Sequence, residues 1–530
     1  MRFRVTLLVA STVLSAPSMA LAATWCVPWQ CPTIQAGIDS ASAGDTVLVA
    51  SGTYTGVGNR DLNYGGKAIR VCSEAGNPDS CIIDCEYEDR GVTFDSEEGG
   101  GSVLEAVTVT RGYSASVGEV ADGGAGALCW RSSPTFINCV FSYNWADSWS
   151  SQYALGGGMW VQEASPELID CVFLENEAIT HGGGMDCWYE SFPTLTRCRF
   201  IGNTAGLYGG GMACRSSSSP TLTDCVFLEN RAPTGNYANG GGMYCSISSP
   251  VLVSCVFEGN SATEHGGGIL CQSSSYPELE RCGFYDNSAI YGGAISTWAD
   301  GRPTLTHCTL SGNSASDGSL ASYPNCSVTL VNTIVAFGSS GVAVYCEGDG
   351  VATLSCCDVY GNSGGDWVGC IASQYGVNGN ICGDPLFCGP WAGDYSIAQP
   401  SPCAPANSPP GCGLIGADSV GCLTASVAEV NDGDAEGFYL APNVPNPFNP
   451  TTEIGYSIPA GSEPSGVTLV VYNSLGRRVK TLVETNQSGG DYVVGWDGRD
   501  EKGLPVASGV YFCHLRWNRE SRTTRMVLLK

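Results

Sequence analysis

Four histidines, a scatter of carboxylates and a set of tryptophans and tyrosines are the groups in this 530-residue chain that could do chemistry. His181 and His265 each stand directly before a glycine triplet, where a turn is expected; His307 and His514 stand apart from them. Glycine runs recur through the chain, so His-Gly-Gly-Gly reads as a by-product of repetition and not as a catalytic motif. Carboxylates could bind calcium or work as an acid–base pair. The densest group is Glu86, Glu88 and Asp89, with Asp95, Glu97 and Glu98 shortly after. Asp170, Asp186 and Asp224 are expected on outward positions. The position of Asp224 reads Asn138, Asp170, Arg197, Asp224, Ser254, Arg281, His307 from one unit to the next, and that variation is what a solvated surface shows.

Trp130, Trp160, Trp188, Tyr189, Tyr244 and Trp298 lie in or beside the glycine-led segments. Exposed rings stack on the C–H faces of sugars, so these six are the candidate glycan-binding residues; the same rings could instead cover a wall of the fold.

The elements that would position these groups come from an internal repeat. In the phrase Ser-Pro-Thr-Leu-Thr-Asp-Cys-Val-Phe-Leu-Glu-Asn at 219–230, the cysteine recurs as Cys139, Cys171, Cys198, Cys225, Cys255, Cys282 and Cys308. The steps are 32, 27, 27, 30, 27 and 26 residues. An asparagine follows five positions on, as Asn144, Asn176, Asn203, Asn230, Asn260, Asn287 and Asn313, and a proline precedes by five. The fixed positions Leu-x-x-Cys-x-Phe put Cys and Phe on one face with period two, which is strand behaviour, and the gap after Leu marks a bend. Short strands, turn-forming residues and no helical period make each unit one coil of a solenoid. The asparagines are then expected to stack as a structural ladder, bonding up and down and to backbone left free in the turns. Before the first coil, Ile34, Ile38 and Ala41 share a helical face, which predicts a helix lidding the open end.

All 28 cysteines lie after residue 22. The repeat columns stand ten or eleven residues apart, as in Cys187/Cys198 and Cys214/Cys225, and could form disulfides within a coil. Val161 and Thr297 replace the first column while Cys171 and Cys308 remain, which favours buried thiols. The ten cysteines from Cys326 to Cys422 break the register in a Gly- and Pro-rich stretch, where disulfides are expected.

Arg2 and Arg4, the apolar run Val5–Leu14 and Ala20-Leu21-Ala22 form a secretory signal peptide, residues 1–22, too short for a membrane span. No other segment is long and apolar enough to span, so the mature protein is expected outside the cell or on its surface. The formal charge of −27 repels phosphate backbones, which excludes nucleic acid as a partner.

With these residues in view, the segment 32–56, Gly65-Gly66-Lys67, Ile82-Ile83-Asp84 and the Asn-Cys-x-Phe repeats resemble right-handed parallel β-helix proteins of the pectate-lyase-like superfamily. The Phe-x-x-Asn pairs also resemble repeats of chlamydial polymorphic outer-membrane proteins, which are adhesins. From Asn443 to Pro450, through Trp496-Asp497-Gly498 to Met526–Lys530, the chain resembles the flagellar hook-capping Ig-like module, which overlaps the type IX secretion sorting domain. The expected fold is all-β: a right-handed parallel β-helix over 23–425, a linker over 426–437 and a small Ig-like β-sandwich over 438–530. The resemblance implies a structural, adhesive or glycan-binding surface protein, whose tail engages secretion or anchoring machinery. A polysaccharide lyase or glycoside hydrolase is the alternative. The first role needs no cofactor; a lyase would add Ca²⁺, beside an Arg or Lys as base. No acidic column flanks a basic residue in the sequence, so the catalytic set stays unassigned.

Overall fold

The computed structural model describes residues 22–116, 122–148, 154–233, 238–390 and 393–422, and in the tail 438–441, 443, 448, 450–459, 465–473, 478–506, 509–517 and 520–528. The signal peptide up to residue 21, and the linker, lie outside the described residues.

Residues up to Pro385, with 405–417, form one compact unit. It is a β-solenoid whose walls are three parallel sheets of 13, 12 and 11 strands. The first wall carries the Thr-Leu-Thr strands, as in Thr221–Thr223; the second carries Val-Phe-Leu, as in Val226–Leu228; the third carries the strands after the glycines, as in Met212–Arg215. The registers are continuous: Leu195 pairs with Leu222, Phe200 with Phe227 and Cys214 with Cys245. Between the first two walls the chain turns at a single residue in the left-handed region. Asn138, Asp170, Arg197, Asp224, Ser254, Arg281 and His307 all have φ of 50–55°. The variable column is thus a corner, where backbone geometry and not side-chain chemistry is the shared requirement.

The interior is built from ladders. The rings of Phe173, Phe200, Phe227 and Phe257 stack at centroid separations of 4.7, 4.6 and 4.6 Å and lie within 4° of parallel. Each ring packs on a glycine: a Cβ at Gly211 would come within 2.8 Å of Phe227 Cδ1 and 2.6 Å of the Gly242 carbonyl oxygen. That close approach is why the glycine run and the phenylalanine repeat together.

The asparagine column is fully buried and continuous. Asn203 Nδ2 donates to the Phe173 carbonyl at 2.9 Å and to Asn230 Oδ1 at 2.9 Å, while Asn203 Oδ1 accepts from Asn176 N and Nδ2 at 3.0 and 2.9 Å. The same pattern runs from Asn144 to Asn313.

Both repeat columns of cysteine are free and buried. Each second-column thiol points at a carbonyl in the coil before, as Cys225 Sγ does to Leu195 O at 3.6 Å. Burial pushes the thiols of Cys129, Cys171 and Cys282 up, so they stay protonated. Later, Cys346–Cys370, Cys356–Cys412 and Cys388–Cys422 are disulfides. Contrary to the expectation of disulfides throughout 326–422, Cys357 is free: it returns to the ladder, with Sγ 3.4 Å from Leu330 O, after Thr333 takes one rung. Cys326, Cys382 and Cys403 are also free. Thiol titration of the denatured, unreduced chain is therefore expected to give 22 free thiols, with six more after reduction. A value near zero would mean the ladders are cross-linked.

Each open end is covered. At the start, the helix Ile34–Ser40, capped by Thr33, buries Ile34 and Ile38. At the far end, a 3₁₀ segment Gly369–Gln374 buries Ile371, and the Gln374 side chain completes the exposed strand edge. Its Oε1 accepts from Leu354 N at 2.8 Å and its Nε2 donates to Ala352 O at 2.8 Å, the pattern a neighbouring strand would supply.

The second unit comprises 386–404 and residues from Asp418 onward. Its tail holds a three-stranded sheet (Tyr439–Leu440, Thr452–Ile458, Gly490–Trp496) and a four-stranded sheet in the order Arg478–Gln487, Ser465–Asn473, Gly509–Trp517, Glu520–Leu528. All pairings in these two sheets are antiparallel. Ile454, Leu469, Trp496, Cys513 and Met526 form its core.

Candidate functional site

Strands of the third wall alternate inward and outward, and register fixes which outward residues line up. One outward column reads Trp130, Gln162, Trp188, Arg215, Ser246, Gln272, Trp298. The adjacent outward column reads Leu128, Trp160, Asp186, Ala213, Tyr244, Leu270, Ser296. The six aromatic candidates therefore divide. Trp130 and Trp298 are 41% and 45% exposed and Trp188 is half-buried, all in the first column. Tyr189, 50% exposed, sits in the turn just after Trp188 at φ 50°. Trp160 and Tyr244, in the second column, are 7% and 4% exposed and are walled in.

Trp160 packs on the Trp188 ring, and Tyr244 is covered by a residue that stands before a glycine run. Leu155, His181, Tyr208 and Asn239 form a column of parallel bridges beside the wall, and His265 pairs with Tyr291 in the same way. The His181 and Tyr208 rings lie 4.9 Å apart, and Tyr208 packs on Tyr244 at 4.6 Å. Burial drives His181 well below the usual imidazole range and His265 down to about 4, so both are neutral packing elements at neutral pH. The repeated His, Tyr, Asn, His, Tyr before the glycines was the sequence signal for this cover, and reading single histidines missed it.

Asp186, outward by register, is wholly buried, and Arg215 grips it through Nε–Oδ1 at 3.0 Å and Nη2–Oδ2 at 2.7 Å. Desolvation raises the Asp186 carboxyl, and the guanidinium opposes it. Arg215 also lies 5.2 Å from the Trp188 ring centroid, while Trp188 stacks on Trp160 at 6.2 Å and donates from Nε1 to Ser216 Oγ at 3.2 Å. The pair thus braces Trp188 from beneath.

A second aromatic group surrounds Trp298, whose ring lies 5.1 Å from Tyr323 and 5.3 Å from His265. Beside it, Asp300 accepts from Tyr276 Oη at 2.8 Å, Ser274 Oγ at 2.9 Å and Arg302 Nε at 2.6 Å. At the other end of the column, Arg131 lies over Trp130 at 5.2 Å and pairs with Glu163 at 2.9 Å.

The acidic group near residue 86 serves the fold. Glu86 pairs with Arg60 at 2.8 Å; Glu98 is buried and accepts from Gly66 N, Ser96 N and Ser132 Oγ at 2.8–2.9 Å. Among the described residues, no three of His, Cys, Asp and Glu are grouped to hold a metal ion, and no helix is long and apolar enough to cross a membrane.

A family model described as the right handed beta helix region matches residues 46–249 and 237–381, and one described as the FlgD Ig-like domain matches residues 448–516. No curated protein matches the chain. Among solved structures it is similar to PorZ of Porphyromonas gingivalis, titled an essential bacterial surface component of the type-IX secretion system. That match has 24% identity over 18% of this chain and 11% of that one, with a TM-score of 0.13. It is also similar to the enzymatically active domain of bacteriophage CBA120 tailspike protein 4, at 10% identity over 91% of this chain and 63% of that one, with a TM-score of 0.28. The chain spans about a tenth of the first structure's length and less than two thirds of the second's.

Proposed function

The chain belongs to the right handed beta helix region family, and on that premise we propose that it is a secreted or cell-surface protein that holds an extracellular glycan on the third wall of its solenoid. In this reading the C-terminal domain, similar to the FlgD Ig-like domain, serves export or anchoring. Three disulfides suit an oxidising location.

The observation that carries the glycan reading is the column Trp130, Gln162, Trp188, Arg215, Ser246, Gln272, Trp298. Coils repeat at roughly 4.8 Å, so Trp130 and Trp188 stand about 10 Å apart and Trp188 and Trp298 about 19 Å. Between the rings lie amides and a hydroxyl, and the one charge, on Arg215, is already engaged by Asp186. Flat apolar platforms separated by uncharged hydrogen-bonding groups match a sugar chain, which alternates C–H faces with hydroxyls.

The test is a glycan array on the full-length protein, followed by titration of the best neutral polysaccharide. Trp298→Ala is expected to weaken binding roughly five- to tenfold, the worth of one ring contact. Trp29→Ala, which removes an exposed ring (81%) outside the column, should leave it unchanged. Equal loss in both variants, or no glycan bound, would sink the reading.

A further inference from the structure

The tail carries a seam between the outer strands of its two sheets. Among the described residues, Arg478–Gln487 is the outer strand of the four-stranded sheet and pairs only with Ser465–Asn473, and Gly490–Trp496 is the outer strand of the other sheet and pairs only with Thr452–Ile458. Beside these two edges lies a cleft of about 650 Å³, lined by Glu453, Lys480, Leu482, Trp496 and Asp497 among others. Val493, on the second edge, is 69% exposed.

Part of the first edge is already closed by a substitute for a strand. Glu501 donates its backbone N–H to Val479 O at 3.0 Å, and its carboxylate accepts the Thr481 N–H at 2.7 Å. One residue thereby satisfies two groups that a neighbouring strand would satisfy. From Leu482 to Gln487 no strand among the described residues lies along the outer side, away from Ser465–Asn473, and Glu484, Thr485 and Asn486 are exposed. An unprotected edge of this length is a template for another chain.

The cleft adds selectivity. Lys480, in the cleft lining, is engaged by a backbone carbonyl, donating from Nζ to Asp500 O at 3.0 Å, and Asp497 faces Arg499 at 3.7 Å. Glu453 forms no ion pair among the described residues. We propose that this seam takes an extended segment of a partner protein by strand addition along Leu482–Gln487, with a basic side chain of that segment entering the cleft toward Glu453. The edge's main-chain groups would give affinity, and the carboxylate would choose the residue. The inference rests on the reading of the tail as an export or anchoring domain and names the surface that domain would use.

The probe is a labelled octapeptide of alternating valine and lysine, titrated against full-length protein beside a valine–glutamate peptide and an N-methylated copy of the first. The lysine peptide is expected to bind. N-methylation, which removes two or more edge hydrogen bonds, should weaken it roughly tenfold or more. Glu453→Gln should erase the preference for lysine over glutamate, and Thr485→Pro should abolish binding while near-UV circular dichroism stays native. Equal binding of the N-methylated peptide, no binding of either charged peptide, or a dimer through this edge that the peptide does not displace would each overturn the proposal. Display of Thr485→Pro at the cell surface, scored in parallel, separates the two readings. Normal display with peptide binding lost overturns the seam as the docking element, whereas normal display of a chain ending at Val427 overturns the anchoring role itself.

Discussion

Asn203→Leu is expected to lower the stability of the solenoid by about 4 kcal/mol, the largest loss for a single substitution at this site of the interior. The leucine fills a comparable volume but leaves Asn176 N, one Asn176 Nδ2 proton and the Phe173 carbonyl without their partners. All three are buried, where each unmade hydrogen bond costs about 1–3 kcal/mol. Asn230 Oδ1 keeps the Asn203 backbone donor, so the break does not run on to the next rung. Coils communicate only with their neighbours, so a split or broadened urea transition is the expected form of the loss. Thr223→Ala, on an outward position of the first wall, is the control and should fall within about 0.5 kcal/mol of the parent. A leucine variant as stable as that control would show that the ladder contributes nothing net.

The second large effect concerns the braced tryptophan. Removing either member of the Asp186–Arg215 pair leaves a buried charge alone, which costs about 3–5 kcal/mol. Arg215→Met should therefore destabilise strongly, and Asp186→Leu should do the same. The double variant should recover most of the loss, because two apolar residues in that space leave no charge behind. Glycan affinity should separate from stability. The double variant folds but loses the support beneath Trp188, so its binding stays weakened while its urea midpoint returns. Full recovery of both would mean that the pair serves packing alone.

The repeat made the solenoid readable before any coordinates, because stacking demands identity at the same rung. Phe200 above Phe173 and Asn203 above Asn176 are requirements of parallel register, and requirements of that kind appear as periodic letters. The lidding helix was readable for the same reason, from the spacing of Ile34 and Ile38. The candidate site was only half readable. Trp130, Trp188 and Trp298 were marked by residue type, but so were Trp160 and Tyr244, and strand alternation puts all five on the outward face. Trp160 and Trp188 stand two residues apart in register, and exposure is decided by side chains from other segments, as where Tyr208 packs on Tyr244. Asp186 and Arg215 lie 29 residues apart and in adjacent columns, so no local pattern joined them. The corner was readable as a bend and its variable column as a solvated surface, but the shared requirement was not: Arg197 and Ser254 share nothing chemical, only a left-handed backbone.

The closed ends have an evolutionary meaning. With a helix at one end and the Gln374 amide at the other, neither terminal strand offers a growing point, so the number of coils is set by the gene and not by assembly. Duplication or loss of one repeat between the lids would lengthen or shorten the recognition column by roughly 4.8 Å and leave both lids intact. Copy number thus becomes a heritable ruler for reach, adjustable by unequal recombination among near-identical units without inventing a new surface.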